Sequence, residues 1–358
     1  MARILFTCGA SSDYPRNRTI VRALERRHEV TTVASTSASY PSRLTAVVPR
    51  ILTASSSFDV YLAGFLGQPL MPFLRARSLK PVILDAFISV YDTLCLDRQT
   101  FRPNSHVGRV SRWLDSQALR WAHYVLTDTP ASADFMAQEF GVALSKFVPV
   151  PVGADESLFY PRSDPMGDGV KVLYYSSYLP LHGTPTVIEA ANLLRERDGI
   201  TFTLIGSGPE RSRVEGLARR YGLTSCRFID RVPLEKLPEY ISAFHIFLGG
   251  HFNSESAKAR RVVPGKVYQG LAMAKATIVG ECEASRDWFR HGESAYTVPM
   301  GDARALANAV SELADSTSLR KRIGQGGRSL YEQLFCEAVI ADKLDGCVEA
   351  ALETARWR

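Results

Sequence analysis

The chain has 358 residues, 46% of them hydrophobic, and a formal net charge of +6; this excludes a disordered chain and exceeds what one core holds, so two globular domains are expected. No apolar run approaches the roughly 18 residues of a bilayer span, and basic patches interleaved with aromatic platforms are missing, which excludes nucleic acid as a partner. The basic residues are 9 Lys against 34 Arg, a bias that codon composition explains, and Cys8, Cys95, Cys226, Cys282, Cys336 and Cys347 make no CxxC pair, so no zinc or redox motif is supported and a reducing cytoplasm is expected.

The opening "MARILFTCGA" reads as a first strand and not as a signal peptide. "NRTIVRALERRHEV" follows as an amphipathic helix with Ile20, Val21 and Leu24 at core spacing, and feeds the strand "EVTTVAS". "FDVYLAG", "PVILDAF" and "YVLTDTP" are further strands, with helices such as "RVSRWLDSQALRWA" between some of them. Strands alternating with helices imply crossover units and a parallel sheet buried on both faces. Ligands of such sheets sit at the carboxyl ends of strands. The turn Gly9-Ala10-Ser11 and Asp92 are therefore candidate ligand contacts, and become acceptor contacts if the chain transfers a group as the resemblance given below implies. Asp85, at a strand end, is a candidate for hydroxyl recognition or base work; a helix cap or turn former is the alternative for both aspartates.

"PVGADESLFYPRSDPMGDG", residues 151–169, holds three prolines and three glycines and is the expected linker. The pattern then restarts: strand "VKVLYYSS", helix "TPTVIEAANLLRER", strand "ITFTLIG", helix "ERSRVEGLARRYG", strand "CRFID", helix "LEKLPEYISAF", strand "HIFLGG", a helix after Pro264-Gly265, strand "KATIVGE" and a helical tail. The expected division is 1–155 and 156–335, with 336–358 as a helix packing back on the first domain. Two Rossmann-like parallel-sheet α/β domains facing a central cleft is the expected fold class.

"LIGSGPER" places Gly206-x-Gly208 between a strand and a helix, with Asp230 at a later strand end. The third glycine of a dinucleotide fingerprint is replaced by Arg211, and the turn follows the second strand of its domain, so nicotinamide binding is disfavoured. A turn that lets a nucleotide approach the backbone and a tight structural turn both remain. "YYSSYLPLHG" offers Ser176, Ser177, His182 and Gly183 to a phosphate or hydroxyl. "AKARRVVPGKVYQG" concentrates Lys258, Arg260, Arg261 and Lys266 around a helix start. A solvated surface would explain the charge; an anion site at a helix N-terminus, with its free N–H groups, explains it better. No Asp-x-Asp occurs, so a carboxylate-held metal is not expected.

Taken in order, "VKVLYYSSYLPLHGTPTVIEAANLL", "FTLIGSGPER", "FIDRVPLEKLPEYISAFHIFL" and "KVYQGLAMAKATIVGECEASRDWFRHGESAYTVPMGDARALANAV" resemble the retaining glycosyltransferases of family 4, which have the two-domain GT-B fold. The likeness covers roughly 145–315. It implies a nucleoside-diphosphate sugar as co-substrate, with no other cofactor. Donor contacts implied are Ser176, Ser177, His182, Gly183, Gly206, Gly208, Arg231, Val232, Lys258, Arg260, Val263, Pro264, Gly265 and Gln269. Arg261 and Lys266 would act catalytically on the diphosphate, and Asp85 on the sugar.

The chain departs from the family at two commonly acidic positions, which align with Arg261 and Gln269, and "PLHG" stands where many members have Lys-Gly. An amide still bonds ribose hydroxyls, so sugar recognition is the part most altered. The implied reaction keeps anomeric configuration, the acceptor attacking from the leaving-group face with a donor phosphate oxygen as base. Expected partners are the donor and a saccharide, lipid-linked or small-molecule acceptor, with weak peripheral contact at the inner membrane face and a homodimer as further expectations. The rival readings are a sugar-nucleotide epimerase of the same architecture and a non-catalytic binding protein.

Overall fold

The computed structural model describes residues 1–37, 39–55, 57–163 and 168–356. Two of the expected linker's breakers, Pro165 and Gly167, lie outside them. The chain divides into two compact units, Met1–Gly153 with Glu337–Arg358, and Ala154–Cys336.

The first unit runs β1 (Arg3–Thr7), α1 (Pro15–Glu25), β2 (Glu29–Val33), α2 (Tyr40–Thr53), β3 (Val60–Ala63), α3 (Met71–Arg77), β4 (Val82–Asp85), α4 (His106–Trp121), β5 (Tyr124–Thr127), α5 (Pro130–Phe140) and β6 (Phe147–Pro149). All six strands are parallel, in the order β2-β1-β3-β4-β5-β6. Every residue of β3 and β4 is buried, which is why both read as unbroken apolar runs: helices cover both faces.

The second unit runs β7 (Val170–Tyr175), α6 (Thr184–Leu193), β8 (Ile200–Ile205), α7 (Arg211–Arg220), β9 (Cys226–Ile229), α8 (Leu237–Ser242), β10 (Ile246–Leu248), α9 (Ala257–Arg261), α10 (Gly265–Ala272), β11 (Ala276–Glu281), α11 (Glu283–Arg286), β12 (Tyr296–Pro299), α12 (Ala303–Asp315) and α13 (Thr317–Leu334). Its six parallel strands are ordered β12-β11-β10-β7-β8-β9.

A final helix, α14 (Glu337–Arg356), belongs to the first unit. Ile340, Leu344 and Val348 join Ile20, Ala23 and Leu24 of α1 in one core, and Arg27 bridges Asp342 and Asp345 at 2.5 and 2.6 Å. The expected boundary at 155/156 compares with 153/154 here. Strands β6 and β12 and helix α2 had no counterpart in the sequence reading.

The strand orders place the sites. A sheet's order reverses between β1 and β3 in the first unit and between β7 and β10 in the second. Loops leaving such a pair of strands diverge to opposite faces and leave a crevice at their carboxyl ends.

Candidate functional site

In the second unit the loops after β7 and β10 flank the reversal. Ser176 follows β7; its Oγ accepts from the Tyr178 amide at 2.9 Å and lies 2.6 Å from His182 Nδ1. A hydroxyl that accepts the first bond and donates the second leaves the proton of a neutral imidazole on Nε2. The His182 ring stacks on His251, which follows β10, with centroids 5.4 Å apart. Burial, then the charges of Lys266 and His251, holds His182 far below the ordinary imidazole range. Burial and Lys266 lower His251 to about 3. Both rings are therefore neutral donors and acceptors at physiological pH.

Lys266 lies in the first turn of α10. It is 7% exposed and its Nζ has no hydrogen-bond partner. The ammonium sits 4.4 Å from the Tyr174 ring centroid and 5.4 Å from that of Tyr175. These faces give partial compensation, yet desolvation lowers Lys266 to about 7. The α10 N-cap is Pro264, which supplies no side-chain cap, so the first-turn N–H groups point out without side-chain acceptors. A positive helix end and a buried ammonium converge on one place, where an incoming anion would supply the counter-charge.

The two arginines are arranged differently from the expectation. Arg260 and Arg261 do not open α10; they close the short α9, with Lys258 also in its last turn. Cations are favoured at a helix C-terminus, so part of this charge cluster answers a local need. Arg260 is exposed and Arg261 half-buried, while Val263 is buried just before α10.

The glycine turn has a structural cause. Gly206 and Gly208 have φ of +127° and +159°, and a Cβ on them would stand 1.9 Å from the Ser176 carbonyl oxygen and 1.8 Å from that of Ser177. The close approach is made by the loop after β7. Arg211 bonds the Ile229 carbonyl at 2.9 Å, pairs with Glu215 at 2.6 Å and reaches Asp230 at 3.2 Å, so it ties the turns after β8 and β9 together. Arg231 and Val232 follow on that second turn, exposed and half-buried. Gly183, at φ +65°, sits against the backbone of Phe252 and Asn253 and holds the two reversal loops together. Gln269, one turn beyond Lys266, accepts from the Tyr175 hydroxyl, which leaves its amide N–H groups as the donors available to a ribose.

The first unit's candidates are occupied otherwise. Asp85 is completely buried and bridges Arg16 at 2.9 Å. Arg16 also donates to the Val150 and Pro151 carbonyls at 2.5 and 3.0 Å and stacks over Phe87. A carboxylate held this way has no open face for sugar hydroxyls, which corrects the role expected of Asp85. Asp92 is 5% exposed, its amide bonded to Ser89 Oγ at the start of a π-helical segment, Asp92–Asp97. The Gly9 and Ala10 amides both donate to the Phe65 carbonyl, and a Cβ on Gly9 would stand 2.1 Å from the Leu66 oxygen. Ser11 accepts from Asn17 through its carbonyl and from the Asp13 amide through Oγ.

The sequence reading missed Arg16, His251 and the Tyr174–Tyr175 faces. It also missed Asp115, raised to about 6 by burial while accepting from Ser89 and Tyr91, and Asp128, likewise about 6.

Residues 169–316 match the family model described as glycosyl transferases group 1. That span is a glycosyltransferase group 1 domain. Over the whole chain the fold is similar to sucrose-phosphate synthase from Thermosynechococcus elongatus, at 15% identity and a TM-score of 0.77, covering 99% of this chain and 100% of that one. HepE of Anabaena, solved with UDP-glucose, aligns at 15% identity and a TM-score of 0.72, covering 98% and 100%. Both likenesses show the GT-B architecture. Among curated relatives, the lipopolysaccharide core biosynthesis glycosyltransferase LpsD of Rhizobium meliloti is 29% identical over 153 residues, 42% of this chain and 41% of its own length. The putative glycosyltransferase EpsD of Bacillus subtilis is 24% identical over 186 residues, 51% and 46%. The chain spans about half the length of these relatives or less.

Proposed function

We propose that the chain is a retaining glycosyltransferase that binds a nucleoside-diphosphate sugar in its second unit and transfers the sugar to a hydroxyl without a divalent metal. The observation that carries this reading is Lys266, a buried cation without a hydrogen-bond partner at an uncapped helix start. Lys266 and the α10 amides hold the diphosphate, with Arg261 beside them. Charge grows on the phosphate oxygen as its bond to the anomeric carbon breaks, and preorganised donors there stabilise the transition state. His182 offers Nε2–H to the same phosphates, and Gln269 offers its amide to the ribose. Retention follows from attack on the leaving-group face, where a donor phosphate oxygen takes the acceptor's proton and no protein nucleophile is used.

The acceptor is a saccharide, a lipid-linked glycan or a small molecule. The name of one relative, a lipopolysaccharide core biosynthesis glycosyltransferase, favours a cell-surface saccharide. Thermal shift against UDP, GDP, ADP and TDP identifies the nucleotide, since binding raises stability by mass action; UDP-glucose is the first donor to try. Slow release of nucleoside diphosphate without acceptor supports transfer chemistry, and NMR of the product's anomeric proton tests retention. Activity abolished by a chelator and restored by magnesium or manganese would overturn metal independence. No stabilisation by any of the four nucleotides would overturn the donor site itself.

A further inference from the structure

Tyr175 ends β7, and its hydroxyl donates to Gln269 Oε1 on α10. Among the described residues the hydroxyl has no other hydrogen-bond partner. Were the amide turned over, the phenol proton would lose its acceptor, so Tyr175 sets which way Gln269 faces. Burial pushes the phenol's pKa up, which keeps it a donor. We propose that this contact makes the donor site tolerant of 2′-deoxyribose, so that it takes nucleoside-diphosphate sugars of either pentose. The inference rests on the proposed donor site and names the class of donor it admits.

Gln269 stands three residues beyond Lys266, on the same side of α10 and about 4.5 Å along its axis. With a diphosphate at Lys266, that offset matches the reach from phosphate to ribose. Tyr175 adjoins both positions, since Lys266 Nζ lies 5.4 Å from its ring centroid. With Oε1 engaged, Gln269 has N–H groups left to offer and no acceptor. A ribose hydroxyl can accept from such a group, but its own proton stays with water. The helix supplies no substitute: between Glu255 and Glu281 the sequence has no carboxylate. A carboxylate here would take a hydroxyl proton in a charge-assisted bond, about 10- to 150-fold in affinity, whereas a neutral N–H···O bond is worth about 2- to 13-fold. A pentose without the 2′-hydroxyl therefore loses little, and the amide still has the 3′-hydroxyl to hold. Tyr175 acts in this through Gln269, as a positioning residue.

The test is calorimetry of the full chain with UDP against 2′-deoxy-UDP, and with the guanosine and adenosine pairs likewise. For the base that binds best, the two dissociation constants should differ by less than about tenfold. Gln269→Glu keeps the side chain's shape, gives the 2′-hydroxyl a carboxylate oxygen, and should raise that ratio at least about fivefold. Tyr175→Phe frees Oε1 to accept a hydroxyl proton and should raise the ratio about two- to threefold. A tyrosine with only a structural role would weaken both nucleotides alike and leave the ratio where it was. The ratio in the unaltered protein decides the matter even where a variant fails to fold. A ratio above about tenfold in the unaltered protein, or one ratio shared by all three proteins, overturns the proposal and leaves the donor site standing. Binding of none of these diphosphates overturns the donor site, and this inference with it.

Discussion

Each unit buries one cation beside the place where its strand order reverses, and the two cations live under opposite conditions. Arg16 in the first unit is bridged to Asp85 and saturated by the carbonyls of Val150 and Pro151. Lys266 in the second has two aromatic faces and no hydrogen-bond partner. The loops differ in the same way: those after β1 and β3 close on each other through Gly9, Ala10 and Phe65, whereas those after β7 and β10 bring two neutral histidines to the edge of the lysine's surroundings. One reversal uses its charge to hold the fold. The other keeps a buried amine without a hydrogen-bond partner, where the proposed diphosphate would supply the counter-charge. Equivalent topology therefore does not give equivalent function; the difference lies in whether the buried polar groups are already satisfied.

The largest effect that would break this contrast is on Arg16. Arg16→Met leaves the Asp85 carboxylate buried without its partner, and removing one member of a buried pair costs about 3–5 kcal/mol. Chemical denaturation should show the first unit unfolding early, while nucleotide affinity of the still-folded protein stays as it was. A variant of full stability would mean that Asp85 finds another partner or takes up a proton at little cost, and the first unit's charge would not be structural.

Lys266→Met should do the reverse. Diphosphate binding weakens by about 1.5–3 kcal/mol, the range of a charge-assisted bond, and binding of the bare nucleoside hardly changes. Stability rises. The folded pKa of about 7 lies below the ordinary lysine value of 10.5, so the lysine destabilises the fold fully below pH 7 and progressively less as pH rises toward its unfolded value. The gain from methionine should accordingly be larger at pH 6 than at pH 9. Equal losses for nucleoside and diphosphate, read by calorimetry, would remove the anion role.

The two cations also show what could be seen in the sequence. Lys266 stood out because its neighbours are local: basic residues, Pro264-Gly265 and a helical pattern all lie within one short run. Arg16 could not stand out, since its partner is 69 positions away and a long-range pairing leaves no periodic signal. The central strands were legible as β-branched and aromatic runs such as "VKVLYY", but β6 and β12 are three and four residues long and each ends in proline, which reads as linker. Gly206 and Gly208 were visible as a turn. That the intruding backbone belongs to Ser176 and Ser177, and not to a ligand, depends on how β7 and β8 pair. Asp85 was misassigned because a strand-end carboxylate looks the same whether it faces solvent or a buried guanidinium.

The pH dependence of donor binding sharpens the contrast next. An anion binds the protonated form of Lys266 and raises its pKa in the complex. Below pH 7 the free protein already carries the charge, so affinity is flat. Above pH 7 binding must take up a proton, and affinity should fall by up to about tenfold per pH unit until the pKa of the complex is reached. A sugar nucleotide is the right probe, because its esterified diphosphate does not titrate in this range. Calorimetry at pH 8 in buffers of different ionisation enthalpy should show proton uptake, abolished in Lys266→Met. His182 and His251 are held neutral throughout and contribute no slope here. Uptake that persists in Lys266→Met would place the titrating group elsewhere.

The smallest effect separates the buried cation from the basic cluster that first drew notice. Arg260 is exposed and closes α9 instead of opening α10. Its guanidinium acts on a diphosphate through water, where an exposed charge is worth at most about 1 kcal/mol and is screened beyond roughly 8 Å at physiological salt. Arg260→Ala should therefore weaken diphosphate binding by a few tenths of a kcal/mol in dilute buffer and by nothing measurable at high salt. The loss in Lys266→Met should survive the same salt, because a desolvated ammonium is shielded from counter-ions by the tyrosine rings that bury it. If instead the two variants lose affinity equally and salt erases both losses, the anion is held by the surface charge of α9, and the difference between the two units is only one of net charge.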